Sequence, residues 1–142
     1  MSARQSRRGS MATNLSVGVL AIPRAVQREA REGNEMIGNG YSGGTPTGWR
    51  RGEQLADKGY ISVHDVKVMR DWFARHYYTS SPNYYRWIQD GSPIEMIRGK
   101  KAKYRGAVAY LIWGGESAYR WINTKKVQAA LRRADYDATE LP

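Results

Sequence analysis

The 142-residue chain contains no cysteine, which excludes disulfide bonds and thiolate metal sites. It has only two histidines, His64 and His76, too few to form the histidine cluster of a zinc site. No apolar run approaches the roughly 18–20 residues of a membrane-spanning helix, and the longest covers only residues 107–113. We therefore predict a protein without a metal centre and without a membrane span.

Sequence motifs that indicate catalysis are also missing. There is no G-x-S-x-G nucleophile elbow, no Walker A loop and no H-E-x-x-H pair. The stretch GNGYSGG at residues 38–44 lacks the third glycine and the preceding strand of a dinucleotide-binding loop. The acidic residues are scattered and show no metal-ligand spacing. We expect no cofactor and no enzymatic activity.

The two histidines have ordinary structural interpretations. His64 stands beside Asp65 at a predicted helix start and is interpreted as a surface residue. His76 closes an apolar helical stripe. We expect it to be partly buried and bonded to a backbone carbonyl near a helix C-terminus, where its protonated form is also tolerated.

Positive charge is abundant instead. The net charge is +10 and the pI about 10.0, a balance that favours nucleic acid, anionic membranes or acidic protein surfaces as partners. Residues 1–28 contain five arginines, Arg4, Arg7 and Arg8 among them, and no acid. We predict a flexible basic arm over residues 1–22 that becomes ordered on a partner. A transit peptide and a tail without a role remain alternatives.

The arm ends in the apolar stretch LSVGVLAI, residues 15–22, which we expect to pack in extended form on a neighbouring subunit. The rest of the chain favours helices, because no long run of strict alternation is present. Helical segments are predicted at residues 24–37, 48–58, 62–76, 82–90, 106–113, 116–122 and 123–137. Thr47 is the expected cap of the second segment and Ser62 that of the third.

Two of these segments have alternatives. The apolar run 106–113 fits a buried strand or a buried helix, and its alanines favour the helix. Ser81 before Pro82 is a helix-start signal and predicts a separate short helix over residues 82–90, with an aromatic loop as the alternative.

Several patterns predict how the helices pack. Val66, Met69 and Phe73 follow helical spacing and are typical of a core, whereas four charged residues are expected on much of the opposite side. These are Lys67, Arg70, Asp71 and Arg75. Trp49 and Ala56 lie seven residues apart, close to two helical turns. Gly48 and Gly52 either allow close backbone approach or only weaken the helix. Gly114 and Gly115 are expected to form a hinge that folds Tyr119 and Trp121 back onto the core.

A cluster of five cations forms the strongest binding candidate. Its members are Arg98, Lys100, Lys101, Lys103 and Arg105, within a predicted exposed loop over residues 92–105. Such a cluster can neutralise phosphates, and an aromatic inside it, here Tyr104, can stack on unpaired bases. It could equally bind an acidic protein surface, or be only a solvated face.

Three stretches, GWRRGEQLAD, ISVHDVKVMRDWFARHYYTSSPNYYRW and RGAVAYLIWGGESAYRWI, resemble a small module of proteins from tailed phages and large DNA viruses. The module has an R-x-x-x-L segment, an aromatic-x-R-H helix end and an LLWGG-D box, matched here over residues 47–122, with Glu116 replacing the common Asp. Matching or core positions are Trp72, Phe73, His76, Leu111, Trp113, Gly114, Gly115 and Trp121. The resemblance implies a viral origin and a mostly helical module.

The combined prediction is a mainly α, compact bundle of short helices with an extended basic arm at residues 1–22, a helical domain at 23–135 and a tail at 136–142. We expect a non-enzymatic structural protein of the virion, such as a minor capsid, cement or head-to-tail component. It would be made inside the host cell and present in several copies of a symmetric assembly. Other virion proteins are the expected partners, with packaged DNA as a second partner and no membrane contact. A free nucleic-acid-binding protein that condenses or protects viral DNA is the alternative, and a small enzyme or nuclease accessory is disfavoured.

Overall fold

The computed structural model describes residues 18–142, which form six α-helices and one two-stranded antiparallel sheet. The elements are β1 (Val19–Ala21), α1 (Arg24–Gly38), α2 (Pro46–Asp57), β2 (Tyr60–Ser62), α3 (Val63–Gln89), α4 (Arg105–Ile112), α5 (Gly115–Ile122) and α6 (Lys125–Arg133). The predicted mainly α, compact fold is confirmed. Across residues 18–142, no helix has both the length and the apolar character needed to cross a bilayer.

Helix α4 lies at the centre of the bundle, with α1, α2 and α3 packed around it. The prediction that residues 106–113 form a buried helix is confirmed, and five of its eight residues are inaccessible to solvent: Ala107, Val108, Tyr110, Leu111 and Ile112. A helix that is covered on several sides needs no polar face. This explains why its sequence shows no amphipathic period.

Glycines allow the neighbouring helices to reach α4. A Cβ atom on Gly52 would lie 3.0 Å from the Cβ of Ile112, and one on Gly48 would lie 3.0 Å from the indole nitrogen of Trp113. The predicted close approach at Gly48 and Gly52 is therefore confirmed. Gly33 lets α1 approach α4 in the same way, because a Cβ atom on Gly33 would lie 2.9 Å from the Cβ atom of Leu111.

Helix α3 is continuous over 27 residues, so the prediction of a break and a new helix start at Ser81 and Pro82 is wrong. Proline removes one backbone hydrogen bond, but the Pro82 ring is exposed and its neighbours hold the helix together. Tyr84 and Trp87 are buried, and Asn83 bonds both Lys103 and Ala107. Tertiary contacts beyond the proline thus outweigh the local signal.

The helix caps follow the expected chemistry with one correction. The hydroxyl of Ser62 accepts a hydrogen bond from the backbone N–H of Asp65 at 3.0 Å, as predicted. Helix α2 is capped by Thr45 rather than Thr47, because Pro46 supplies the first helical residue and moves the start forward.

Both ends of the described chain pack onto the bundle. Strand β1 pairs with β2 of the same chain, and Leu20 and Ile22 are buried in its own core. The side chains of Leu20 and Ile22 are therefore not free to pack on a neighbouring subunit as predicted, because the chain's own core covers them. At the other end, Leu141 is buried and Asn123 bonds its backbone.

Arg70 corrects the prediction of a charged outer face on α3. It is buried, and its guanidinium donates to the carbonyl oxygen of Thr139 at 2.8 Å and lies 3.6 Å from an oxygen of Asp137. A charged side chain can be buried when hydrogen-bond acceptors and an opposite charge surround it. Here the C-terminal residues supply the carbonyl and the carboxylate.

Candidate polyanion-binding surface

The five predicted cations lie together on a turn-rich stretch that leads into α4, here called the basic segment (residues 98–105). All five side chains are exposed: Arg98, Lys100, Lys101, Lys103 and Arg105. The structure thus presents the cluster to solvent. Arg4, Arg7 and Arg8 of the predicted arm lie outside the described residues.

The backbone of the basic segment is fixed to the bundle by hydrogen bonds. The N–H of Ser42 donates to the carbonyl of Lys101 at 2.8 Å, and the side-chain amide of Asn83 donates to the carbonyl of Lys103 at 3.1 Å. A turn inside the segment joins Lys103 to Lys100 at 3.1 Å. The cations are therefore carried by an anchored backbone and not by a free loop.

Tyr104 is the inward anchor of the segment. Its ring is fully buried and packs edge-on against Tyr41, with 5.7 Å between the centroids. Its hydroxyl donates to an oxygen of Asp90 at 2.6 Å. Burial and this hydrogen bond raise the pKa of Tyr104 to about 12. The expectation that Tyr104 stacks on bases is wrong, because the ring already packs inside the protein.

The charge of the segment is only partly neutralised. Lys103 lies 3.9 Å from an oxygen of Asp90. Arg98, Lys100, Lys101 and Arg105 form no ion pair within residues 18–142. Four unpaired cations on a fixed backbone are available to an external anion.

A pocket of mixed polar and apolar lining, which the sequence pattern did not predict, lies beside Arg105. It has a volume of about 510 Å³ and is lined by Ile37, Tyr41, Trp49 and Arg105, among others. Trp49 is 44% exposed, and its indole N–H donates to the carbonyl of Gly43 at 2.9 Å, which fixes the ring.

Trp49 and Ala56 lie close to two helical turns apart, but only Ala56 is buried. Trp49 stands in the first turn of α2, beside Ile37 in the last turn of α1. Since α1 ends there, it leaves one side of the indole uncovered. Helical spacing gives the direction of a side chain, but it does not reveal where the neighbouring helix ends.

Several of the residues that carry the resemblance described above come together between α3 and α4. The indoles of Trp72 and Trp113 stack with 5.2 Å between centroids and 13° between planes. Phe73 packs edge-on against Tyr110 at 5.4 Å, and Leu111 is buried beside them. The second and third stretches that carry the resemblance thus share one core.

His76 lines a cleft of about 480 Å³ together with Trp72, Arg75 and Trp113. Its predicted hydrogen bond to a helix-terminal carbonyl is wrong, since α3 continues past it to Gln89 and the ring instead packs on Trp72 at 4.9 Å. Burial and the charge of Arg75 lower the pKa of His76. His64 is exposed, as expected, with its ring nitrogen 3.8 Å from Asp65.

The two glycines after Trp113 form a tight connection between α4 and α5. Both have positive φ, 102° at Gly114 and 65° at Gly115, which other residues rarely adopt. Helix α5 folds back as predicted, with Tyr119 buried and Trp121 half-buried.

A buried carboxylate missed by the sequence pattern completes this connection. Glu29 of α1 accepts hydrogen bonds from the backbone N–H of Ser117 at 2.9 Å and from the hydroxyl of Tyr84 at 2.8 Å. Nearby, Glu116 accepts from the hydroxyls of Tyr85 and Tyr110, both at 2.9 Å. Burial and Glu116 raise the pKa of Tyr110 far above its usual range. Hydroxyl and N–H donors therefore stabilise both carboxylates.

No group of three metal-ligating side chains is present in the described part of the chain. Comparisons with family models, with curated proteins and with solved structures found no match for this chain.

Proposed function

We propose that this protein is a non-enzymatic structural component of a virus particle, of the minor capsid, cement or head-to-tail kind. Its basic segment would contact an anionic surface of the shell subunits, with packaged DNA as a second partner. The viral assignment follows from the resemblance of residues 47–122 to the phage and large-virus module. The binding role is supported by the structure of the basic segment.

One observation carries the binding role: four cations that form no ion pair among the described residues stand on a backbone that is hydrogen-bonded to the bundle at Lys101 and Lys103. A fixed array loses less conformational entropy on binding than a free loop does. A flexible charged tail would show neither the buried Tyr104 nor these bonds.

A free protein that condenses or protects DNA is the second candidate. The same four cations favour it, since phosphate neutralisation gives affinity without sequence preference. The burial of Tyr104 restricts this candidate to phosphate contacts at the basic segment, because no aromatic ring of residues 98–105 is left to stack on bases.

Mass spectrometry of purified particles tests the structural role. We expect the protein in the particle at a fixed, symmetry-related copy number. Absence from particles, together with abundance in infected cells, would contradict the structural role and favour the free DNA-binding protein.

The role of the charges is tested by a variant with Arg98, Lys100, Lys101 and Arg105 replaced by Gln. Its matched control replaces four exposed cations of α6 by Gln: Lys125, Lys126, Arg132 and Arg133. Both variants lose the same charge, but only the first is expected to lose incorporation into particles. Equal incorporation of the two variants would contradict a role for the basic segment.

A further inference from the structure

We propose that the basic segment and the Trp49 pocket form one docking surface for an acidic protein segment that carries one large apolar side chain. This inference rests on the proposed function and names the chemistry of the partner. Arg105 joins the two parts, because it belongs to the basic segment and also lines the pocket.

The pocket has the size and the walls of an anchor site. Its volume of about 510 Å³ exceeds what one large side chain fills, and Ile37 and Trp49 provide apolar walls. Trp49 is held by its bond to Gly43, so its exposed face is in place before a partner arrives. Tryptophan is among the residues that contribute most to binding at protein interfaces.

Two exposed apolar residues lie in the chain between the pocket residue Tyr41 and the cations. The hydroxyl of Tyr41, which lines the pocket, accepts a hydrogen bond from the N–H of Ile97 at 3.3 Å. Ile97 and Met96 are 41% and 37% exposed, and they directly precede Arg98. An apolar centre with a charged rim is the usual arrangement of a protein interface.

Charge complementarity selects the partner class. The four unpaired cations favour carboxylates or phosphates, but duplex DNA offers no apolar side chain for the pocket. A protein segment with several Asp or Glu residues and one Leu, Phe, Trp or Met satisfies both parts of the surface. The backbone amides and carboxylates of such a segment remain solvated at the rim.

Selection from a display library of random peptides of about twelve residues, a length typical of peptide recognition, tests this inference on the full-length protein. We expect enrichment of acidic peptides with a large apolar residue at about 0.15 M salt, where weak surface charge contacts are screened. The Trp49→Ser variant should bind the enriched peptides about ten-fold or more weakly than the wild type does. Tyr78→Ser is the matched control, because Tyr78 is an exposed aromatic on α3, 70% accessible, that lines none of the pockets described above.

Arg105→Glu provides a second variant that leaves the apolar packing intact. Arg105→Glu should lower the affinity for the same peptides. The variant with four α6 cations replaced by Gln should bind them as tightly as the wild type does. No enrichment, acidic peptides without an apolar residue, or equal binding by Trp49→Ser would each overturn the inference.

Two further ligands separate the competing partners. These ligands are a short DNA duplex and phosphatidylserine vesicles. If one of them binds through the basic segment and not through Trp49, and no peptide is enriched, the surface is assigned to that anion. This result would overturn the docking proposal. Peptide enrichment supports the docking surface even if the protein is absent from particles. If the protein is present in particles but enriches no peptide, only the structural role is supported. Failure of the docking proposal can therefore be distinguished from failure of the proposed function.

Discussion

The carboxylate of Glu29 lies directly over Gly115, in the space that a Cβ atom at position 115 would occupy. This one contact joins α1 to the start of α5 and explains why the second residue of the Gly-Gly pair is a glycine. Because the same carboxylate accepts the N–H of Ser117 at 2.9 Å, the glycine and the acid form one structural unit.

Replacing Gly115 by Ala should lower the free energy of unfolding by at least about 2 kcal/mol, because a positive φ costs 1–3 kcal/mol and Glu29 must also move. Chemical denaturation measures the change. Gly38→Ala is the control, since a Cβ at Gly38 meets nothing within 4 Å. A Gly115→Ala variant as stable as Gly38→Ala would contradict this account of the contact.

Replacing Glu29 by Ala should cost about 2–4 kcal/mol, because the N–H of Ser117 and the hydroxyl of Tyr84 both lose their acceptor. Glu32→Ala on the same helix is the control. Burial and the charge of Glu29 raise the pKa of Glu32, so its ionised form is disfavoured in the folded protein. Removing it should leave stability unchanged or slightly higher at neutral pH. Equal losses in both variants would argue against a specific cap.

Replacing Arg70 by Met should detach the C-terminal residues, because the carbonyl of Thr139 loses two hydrogen bonds at 2.8 and 3.3 Å. Hydrogen exchange is expected to become faster in residues 136–142. Lys67→Met breaks only a partly exposed ion pair with Asp71 and should change stability by less than about 1 kcal/mol. Unchanged exchange in the Arg70 variant would show that the burial of Leu141 and its hydrogen bonds with Asn123 hold the end without Arg70.

Replacing Tyr104 by Phe should reduce stability by about 1 kcal/mol, because the bond from its hydroxyl to Asp90 is lost while the ring stays buried. Amide exchange in residues 98–105 should accelerate. Tyr78→Phe, an exposed tyrosine, is the control and should have no effect. If exchange in the basic segment stays the same, Ser42 and Asn83 alone fix it.

His76 should make stability depend on pH. Its pKa is lowered in the folded state by burial and by Arg75, so its stabilising contribution is complete above the unfolded value of about 6.5 and is lost as the pH falls through the folded value. Between about pH 7.5 and pH 5, the wild-type melting temperature should fall more than that of His76→Gln. Titration by NMR in a His64→Gln variant should place the midpoint below 6.5. A midpoint at or above that value would contradict the prediction.

The sequence predicts those parts of the fold in which local chemistry and burial agree. The central helix α4 is a short apolar run between glycines, and the Ser62 cap stands three residues before Asp65. Pro82 misleads for the opposite reason: its local signal is strong, but contacts from Asn83 and Trp87 hold the helix across it.

The sequence predicts the cations of the candidate surface but not the pocket beside them. The five cations fall within eight consecutive residues, and their exposure follows from their charge. The exposure of Trp49 depends on where α1 ends, and the burial of Glu29 depends on the arrival of α5 from 88 residues later in the chain. No local pattern contains either relationship.

The unbroken course of α3 has a consequence for how the protein is held by its partners. The carbonyl of Gly18 accepts a hydrogen bond from the N–H of Val63 at the start of α3. The basic segment is bonded by Asn83, which lies twenty residues further along the same helix and therefore roughly 30 Å away. A partner that contacts the protein near both Val63 and Asn83 must therefore extend along α3, and two contacts at a spacing fixed by this helix would add avidity.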